Sequence, residues 1–586
     1  MPSTVNSVSA KENHRYQKWE YPDYEGEELE KISEAMGYSN IASQIILQRI
    51  GPDREAIQSW VSPRLSEILD PKDLYHCPRA AKQLSDAILH GQTIGIFSDY
   101  DVDGITSAAL ATQLIKALDG VSFTFIPDRL NEGYGLTKSA LDRLLSNEKP
   151  DLLLILDCGT RSEDELSYLS SIHIPTIVVD HHAATDFPNL PDDCILINPH
   201  LQNQVQSEFQ THCTAGLIFK LLHATIREHE LVSSGARDRI DLKSLLDLVA
   251  LGTVADLVPL TGENRIFVHH GLNRLRTTEN CGLKALMQVA DIDPAFPISP
   301  SDVGYRLGPR INAGGRIDDA EIGLELLTTQ DNRLAFALAR KLDGVNADRR
   351  ALEKRVIDEA LDKIGETPAD GIVVWDEDWH PGVVGIVAGR LSRMFHRPCL
   401  VLGWDGQILK GSGRGIEGIN LLQVMERCAV SPTKWGGHPM ALGMSIEPSF
   451  VEAFSDAFSQ AVKEVCNGAL PARVLRLNAI AEAESVDRQT ILEIESIGPF
   501  GQGNEEPIIG LRQVVINVVP RPFGKEHIRF SLEDHGYLEV IGWRMADRSP
   551  PVGKPIDLAV RLKRNWWKGR ESIRAELEDW RLSVHD

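Results

Sequence analysis

The chain has 586 residues, of which 42 % are hydrophobic and 25 % charged, with a formal net charge of −23. That balance describes a globular protein of several domains and excludes a largely disordered chain, a fibrous repeat and a disulfide-stapled small domain. The acidic excess disfavours a protein that coats nucleic acid through an overall basic surface, but not an enzyme with a local basic groove.

Residues 1–28 are polar and aperiodic. They read as a tail without the apolar stretch of a secretory signal, with Trp19 and Tyr21 placed to dock on a core. Residues 29–50 carry helical spacing, ended by Gly51-Pro52. No run approaches the roughly 20 apolar residues of a membrane helix. Eight scattered cysteines without a CxxC pair suggest reduced thiols, a cytoplasmic location and no zinc ribbon. Residues 1–75 are therefore taken as an N-terminal tail and helical segment.

Short apolar runs then alternate with helical stretches: TIGIFSD (93–99), SFTFI (122–126), DLLLILD (151–157), TIVVD (176–180) and CILINP (194–199). Consecutive apolar residues mark strands covered on both faces, so 76–270 is predicted as a doubly wound α/β domain with a parallel sheet. In such sheets ligands bind at the carboxyl ends of the strands. Asp99, Asp101 and Asp103 follow the first strand, Asp157 ends the third, and Asp180-His181-His182 follow the fourth. Three acidic clusters are thus expected along one edge.

Residues 271–365 read as a helical region, closing in a long charged helix at 331–364 that Gly344 is placed to kink. A second, smaller α/β pattern occupies 366–466, with GIVVW (371–375), VVGIVAGRL (383–391) and PCLVLGW (398–404). From 467 to 586 short β-branched segments at regular spacing predict a small β-barrel or sandwich.

SDYDVDG (98–104) is the sharpest local signal. As a solvated turn or helix cap it would crowd three like charges, a cost that a divalent cation removes. Imidazole beside carboxylate, as in Asp180-His181-His182, suits Mn²⁺ or Mg²⁺ better than a closed zinc site. Asp256 stands in an apolar stretch and must pair, cap a helix or bind a cation. Together these residues supply ligands for two ions, an arrangement suited to phosphodiester hydrolysis. RLKRNWWKGR (561–570) has five Arg or Lys, two Trp and no acid. It suits single-stranded nucleic acid; otherwise it is a hairpin with Trp566 or Trp567 in the barrel core.

DYDVDG, LDCGT, VVDHH and VALGTVADLVPL, in this order and spacing, resemble the four motifs of the DHH phosphoesterase superfamily. GPRINAGGRI (308–317), WHPGVVGIVAGRL (379–391), GSGRGIEGINL (411–421), WGGHPMALGM (435–444) and PFGQGNEEP (499–507) resemble segments of its single-strand-specific exonuclease branch. Val102 and Gly314, where Ala is common, change no ligand type.

The resemblance implies a DHH domain, a DHH-associated domain and a C-terminal oligonucleotide-binding (OB) barrel. It implies that Asp101, Asp103, Asp157, His181 and Asp256 hold two ions, Mn²⁺ or Mg²⁺, with Asp157 bridging them. His182 would contact the scissile phosphate, Asp99 would be a ligand or a supporting carboxylate, and Asp180 would orient a histidine. Arg310 and Arg316 flank a glycine-rich turn, and Ser412, Arg414 and His438 lie in glycine-rich loops. The resemblance makes these phosphate contacts, with Arg316, Ser412 and Arg414 gripping the 5′ end. Arg129 and Tyr134 would meet the entering strand.

The implied activity is 5′-to-3′ exonuclease action on single-stranded DNA, releasing mononucleotides, in DNA repair and recombination. The implied partners are single-stranded DNA, a single-stranded-DNA-binding protein and a helicase, with no membrane. Two rival readings stand beside it. One is a DHH enzyme for oligoribonucleotides, cyclic dinucleotides or pyrophosphate, which typically lacks the barrel. The other is a non-catalytic DNA-binding scaffold, which would have lost ligands that all stand here.

Overall fold

A computed structural model describes residues 16–583, apart from 24–25, 129–131, 134, 184–187, 202–206, 318–319, 533–534 and 568–569. The chain forms two compact units. One comprises residues 64–471 with 501–504; the other joins residues up to Pro63 to 472–500 and 505 onward. Among the described residues no helix is long and apolar enough to cross a membrane.

The larger unit is built on five parallel strands: β1 (Thr93–Ser98), β2 (Val121–Phe125), β3 (Leu152–Leu156), β4 (Thr176–Val179) and β5 (Cys194–Ile197). They pair in the order β2-β1-β3-β4-β5. Every residue of β3, β4 and β5 is buried, as the unbroken apolar runs require. The chain leaves β1 towards one side and β3 towards the other, so the strand order reverses between them. That switch point opens a crevice at the carboxyl ends, where Asp99 and Asp157 stand.

Helix α1 (Val102–Ala117) starts within the aspartate run, with Asp101 as its N-cap and Asp103 in its first turn. Three helices then matter for the site: α2 (Thr214–Val232), α3 (Leu246–Ala255) and α4 (Gly262–Leu275). Helix α3, apolar apart from Asp247 and Thr253, is buried along almost its whole length, and Asp256 follows at its end.

GPRINAGGRI is a helix, α5 (Gly308–Ile317), and not the glycine-rich turn its composition suggested. Its glycines permit close approach rather than a turn: a Cβ at Gly315 would lie 2.9 Å from the Tyr100 carbonyl oxygen. The long connector α6 (Asn332–Ile364) is continuous through Gly344, where a kink was expected. Glycine weakens a helix by about 1 kcal/mol without removing a hydrogen bond, so it need not break one.

The second sheet has strands β6 (Ile372–Asp376), β7 (Cys399–Trp404), β8 (Leu409–Arg414), β9 (Lys434–His438) and β10 (Ala441–Ile446), in the order β9-β10-β8-β7-β6. Helix α7 (Pro381–Phe395) covers part of one face.

In the smaller unit, Lys18–Glu20 adds a parallel strand to Val474–Arg476. Trp19 is buried and its indole N–H donates to Asp579 Oδ2 at 3.0 Å. Residues 29–50 form two helices, Gly26–Met36 and Asn40–Ile50, divided at Gly37 (φ 72°) and restarted by the Ser39 cap. Ile41, Ile45 and Ile46 share one core with Ile491, Leu511 and Leu558. The N-terminal helices thus belong to the same compact unit as the C-terminal strands.

That unit's main sheet has seven strands, β11 (Ala479–Ala481), β12 (Ile509–Val515), β13 (Arg521–Phe523), β14 (His527–Leu532), β15 (His535–Gly542), β16 (Pro555–Trp567) and β17 (Arg570–Leu582). They run in the order β11-β12-β16-β17-β15-β14-β13.

Candidate active site

The aspartates that follow β1 and β3 converge with the histidines after β4 and with Asp256 after α3. Three groups each present one ligand atom per residue, all within 4.8 Å of one another: Asp99, Asp101 and Asp157; Asp103, His181 and Asp256; Asp157, His181 and His182. His181 Nε2 lies 3.5 Å from Asp157 Oδ1, 3.5 Å from Asp256 Oδ2 and 3.9 Å from Asp103 Oδ2. Asp157 and His181 each belong to two groups.

Local structure aims these side chains. Asp157 takes φ 64°, a left-handed conformation that Asp tolerates better than most residues; such strain clusters at functional sites. Asp101 Oδ1 caps α1 by accepting from the N–H groups of Asp103 and Gly104, so the capping role and membership of the cluster coexist. Asp180 is buried, accepts from the Thr160 N–H at 3.1 Å, and bonds His182 Nδ1 at 2.7 Å.

The electrostatics are those of a cation site. Burial, then the charges of Asp103 and Asp101, push the Asp256 carboxyl up to about 9. Burial and neighbouring aspartates raise Asp157 well above the carboxylate range, and burial raises Asp103 against the pull of His181. Burial lowers His181. Burial would lower His182 too, but its bond and charge attraction to Asp180 prevail and raise it to about 9. Among the described residues, the buried His181 Nε2 and Asp256 Oδ2 have no hydrogen-bond partner. Unpaired buried ligand atoms among crowded carboxylates fit divalent cations, which supply the missing partner and charge. Mn²⁺ and Mg²⁺ suit this mixed oxygen and nitrogen set.

Two supporting residues escaped the sequence reading. Thr214, the first residue of α2, donates its N–H to Asp103 Oδ2 at 2.7 Å and its hydroxyl to Asp157 Oδ1 at 2.9 Å; Ala215 N–H reaches Asp103 Oδ1 at 2.8 Å. Asn312 of α5 accepts from Val102 N–H at 3.1 Å and so braces the aspartate loop. Asn312 stands within GPRINAGGRI, where the arginines drew attention. Thr214 had no comparable signal, because its role depends on a helix start that only the fold brings to the aspartates.

The phosphate-binding expectations divide. Arg310 is buried in α5 and engaged internally, with Nε donating to Asp343 Oδ1 at 2.9 Å and Nη1 to the Arg306 carbonyl at 2.6 Å. Its guanidinium holds α5 to α6 and is occupied by these internal partners rather than presented to a phosphate. The side chain of Arg316 lies outside the described residues, as do Arg129 and Tyr134. Ser412 and Arg414 share one face of β8, with Arg414 Nη1 donating to Ser412 Oγ at 2.8 Å. Among the described residues Arg414 forms no ion pair, and Gly385 lets α7 pack closely on both side chains: a Cβ there would lie 3.1 Å from Ser412 Oγ and 3.5 Å from Arg414 Nη2. His438 is exposed on β9 in the same cross-strand row as Arg414, across Ala441.

The basic strand of the barrel differs from expectation. Arg561 pairs with Glu578, Lys563 with Glu506 and Glu576, and Arg564 with Glu495. Its charge is largely neutralised by acids that fold beside it from distant positions. Trp566 is half-buried under Arg564 and does not fill the core; the Trp567 side chain lies outside the described residues.

Comparison with known proteins agrees with this architecture. Family profiles match at residues 93–253 (DHH family, N-terminal domain), 369–464 (DHHA1 domain) and 477–579 (RecJ OB domain). The chain is 33 % identical to the single-stranded-DNA-specific exonuclease RecJ of Salmonella typhimurium, covering 86 % of this chain and 90 % of the relative. It is 29 % identical to RecJ of Bacillus subtilis over 97 % of this chain and 71 % of that protein. The crystal structure of Thermus thermophilus RecJ in complex with Mn²⁺ superposes with a TM-score of 0.80 at 26 % identity, covering 97 % of this chain and 80 % of that one. With 33 % identity to a relative covered over 90 % of its length, the chain belongs to the RecJ family.

Proposed function

We propose that this protein is a divalent-cation-dependent exonuclease specific for single-stranded DNA, acting 5′ to 3′ and releasing mononucleotides. The observation that carries the reading is the carboxylate–imidazole cluster at the switch point. There Asp157 belongs to two ligand groups, and His181 Nε2 and Asp256 Oδ2 are buried without a hydrogen-bond partner among the described residues. Asp99, Asp101, Asp103, Asp157, His181 and Asp256 would hold two ions, Mn²⁺ or Mg²⁺. When bound, such ions activate water and stabilise charge on a phosphodiester.

The chain's own residues do the rest. Thr214 and Asp101's cap fix the carboxylates in place. Asp180 holds His182 by Nδ1 and favours its cationic form, which suits an oxygen of the scissile phosphate. Ser412 and Arg414, with Arg316 and His438, would take the 5′-terminal phosphate, and Arg129 and Tyr134 the entering strand.

The barrel's single-strand surface we assign to β13–β15 rather than to the neutralised strand β16. Trp543, 44 % exposed, packs edge-on against Phe523 and His527 at 5.6 and 5.0 Å. Arg521 and Arg529, both exposed, stand directly opposite each other across β13 and β14. Opposed like charges are unfavourable; rings beside cations suit stacked bases and phosphates. Repair and recombination in a reducing cytoplasm fit eight cysteines without a disulfide. A helicase that exposes single strands and a protein that coats them are the matching partners.

The test is nucleotide release from a 5′-phosphorylated single strand, compared with duplex DNA and RNA, with Mn²⁺, Mg²⁺ or EDTA. Release from the single strand alone, abolished by EDTA, is expected. No cation-dependent release would overturn the reading.

A further inference from the structure

Behind the cluster lies a buried ionic chain that none of the proposed chemistry uses. His212 and Lys220 are fully buried and Glu263, in the first turn of α4, is 6 % exposed. His212 Nε2 bonds Glu263 Oε2 at 2.8 Å, and Lys220 Nζ bonds Glu263 Oε1. Lys220 also donates to the Leu69 carbonyl at 2.7 Å, and Leu69 N–H donates to Glu263 Oε1 at 3.0 Å. The ring of Phe267 flanks the ammonium at 5.4 Å. Ionic groups so deep contribute little net stability compared with apolar side chains of the same volume. Folding alone does not account for them.

Their position gives another account. The chain joins three segments, the loop before α2, α2 itself and α4, at the point where α2 begins. His212 is two residues before Thr214, and the N–H groups of Thr214 and Ala215 grip both oxygens of Asp103 while the Thr214 hydroxyl holds Asp157. The packing around the turn has no slack: a Cβ at Gly216 would lie 3.0 Å from the His212 ring, and one at Gly252 would lie 2.5 Å from Thr106 Oγ1 and 3.1 Å from Asp103 Oδ1.

We infer that His212, Glu263 and Lys220 are positioning residues: through Thr214 they set the direction in which Asp103 and Asp157 present their oxygens, and thereby the affinity for divalent cations. The inference rests on the cation-dependent reading above. Residues that orient metal ligands typically change affinity by about 10–100-fold when replaced.

The experiment measures Mn²⁺ binding to the full chain by electron paramagnetic resonance of the free ion, with no nucleic acid present. Thr214→Val keeps the shape but loses the hydroxyl, and Thr214→Ser restores it. Glu263→Gln breaks the ionic chain. Thr214→Val and Glu263→Gln, each measured well below its own melting temperature, are expected to weaken Mn²⁺ binding about tenfold or more, while Thr214→Ser stays close to wild type. Folded variants that bind Mn²⁺ as tightly as wild type would show the chain to be structural only and overturn the inference. Should Glu263→Gln fail to fold, His212→Gln, which loosens the other end of the ionic chain, is measured in the same way and decides. Wild type that binds no Mn²⁺ overturns the cation reading itself, and the inference with it.

Discussion

Replacing Asp256 with Asn should stabilise the cation-free protein while abolishing hydrolysis. Burial and the neighbouring Asp103 and Asp101 hold the Asp256 carboxyl at about 9 in the folded chain, against about 3.9 in an unfolded one. The folded state therefore keeps the proton where the unfolded state has released it, so stability falls as pH rises from about 3.9 to about 9. At pH 7 roughly three pH units of that interval have been crossed, at about 1.36 kcal/mol each, a loss of roughly 4 kcal/mol. Asparagine carries no such penalty, although a buried amide with imperfect partners costs about 1–3 kcal/mol. A net gain of about 1–3 kcal/mol remains, which raises the melting temperature of a unit this large by about 1–3 °C. Scanning calorimetry in EDTA at pH 5 and pH 8 measures it: the gain should be small at pH 5 and larger at pH 8. Saturating Mn²⁺ should narrow the gap, since a cation at about 100 times its dissociation constant adds about 2.7 kcal/mol to the wild type. A variant less stable than wild type in EDTA at pH 8, or a gain independent of pH, would refute the reasoning.

Asp157→Ala should abolish cleavage and leave the fold and DNA binding largely intact. Residual activity above about a tenth, a barrier change below about 1.4 kcal/mol, would remove it from its bridging place. Arg414→Ala should slow a 5′-phosphorylated strand more than a 5′-hydroxyl strand by about tenfold, the scale of one charge-assisted hydrogen bond; an equal ratio in the two cleavage assays would exclude it from the phosphate pocket. Trp543→Ala should weaken binding to a long single strand by about 1–3 kcal/mol, read by fluorescence anisotropy, whereas Lys563→Ala, already paired with Glu506 and Glu576, should leave the salt dependence unchanged. Trp19→Ala should destabilise the C-terminal unit by about 3–5 kcal/mol in urea unfolding, because the indole is buried and bonded to Asp579; an unchanged midpoint would refute the docking role.

The parts of this architecture that were legible in the sequence are those with a local signature. Unbroken apolar runs fixed the strands of the parallel sheet, and carboxylates directly after those strands had to gather at its carboxyl edge. Asp99, Asp157 and His181 were therefore predictable as neighbours before any coordinates. What stayed hidden depends on contacts between distant residues. RLKRNWWKGR looked basic because Glu495, Glu506, Glu576 and Glu578 lie elsewhere in the chain and reach it only across the folded sheet. GPRINAGGRI looked like a turn because glycine serves two purposes, bending a chain and letting two backbones approach; only the proximity of Tyr100 to Gly315 distinguishes them. The break at Gly37 and the continuity at Gly344 make the same point. The first glycine adopts a left-handed conformation at a helix end, and the second stays helical inside a long helix.

The smaller unit draws its core from both ends of the chain, and this bears on how the protein is made. Residues up to Pro63 are synthesised before the larger unit, yet the strands they pack on begin about 400 residues later. At a synthesis rate of about 5–20 residues per second, the early helices wait on the order of 20–80 s for their partners. Through that interval Ile41, Ile45 and Ile46 have no core to enter. The intervening unit contains its own core and is free to fold first; its completion would replace a flexible loop of some 400 residues with a fixed span and reduce the closure entropy of joining the ends. Nascent chains stalled before residue 472 should therefore carry a folded centre and a sticky N-terminus, the species most in need of a chaperone during expression.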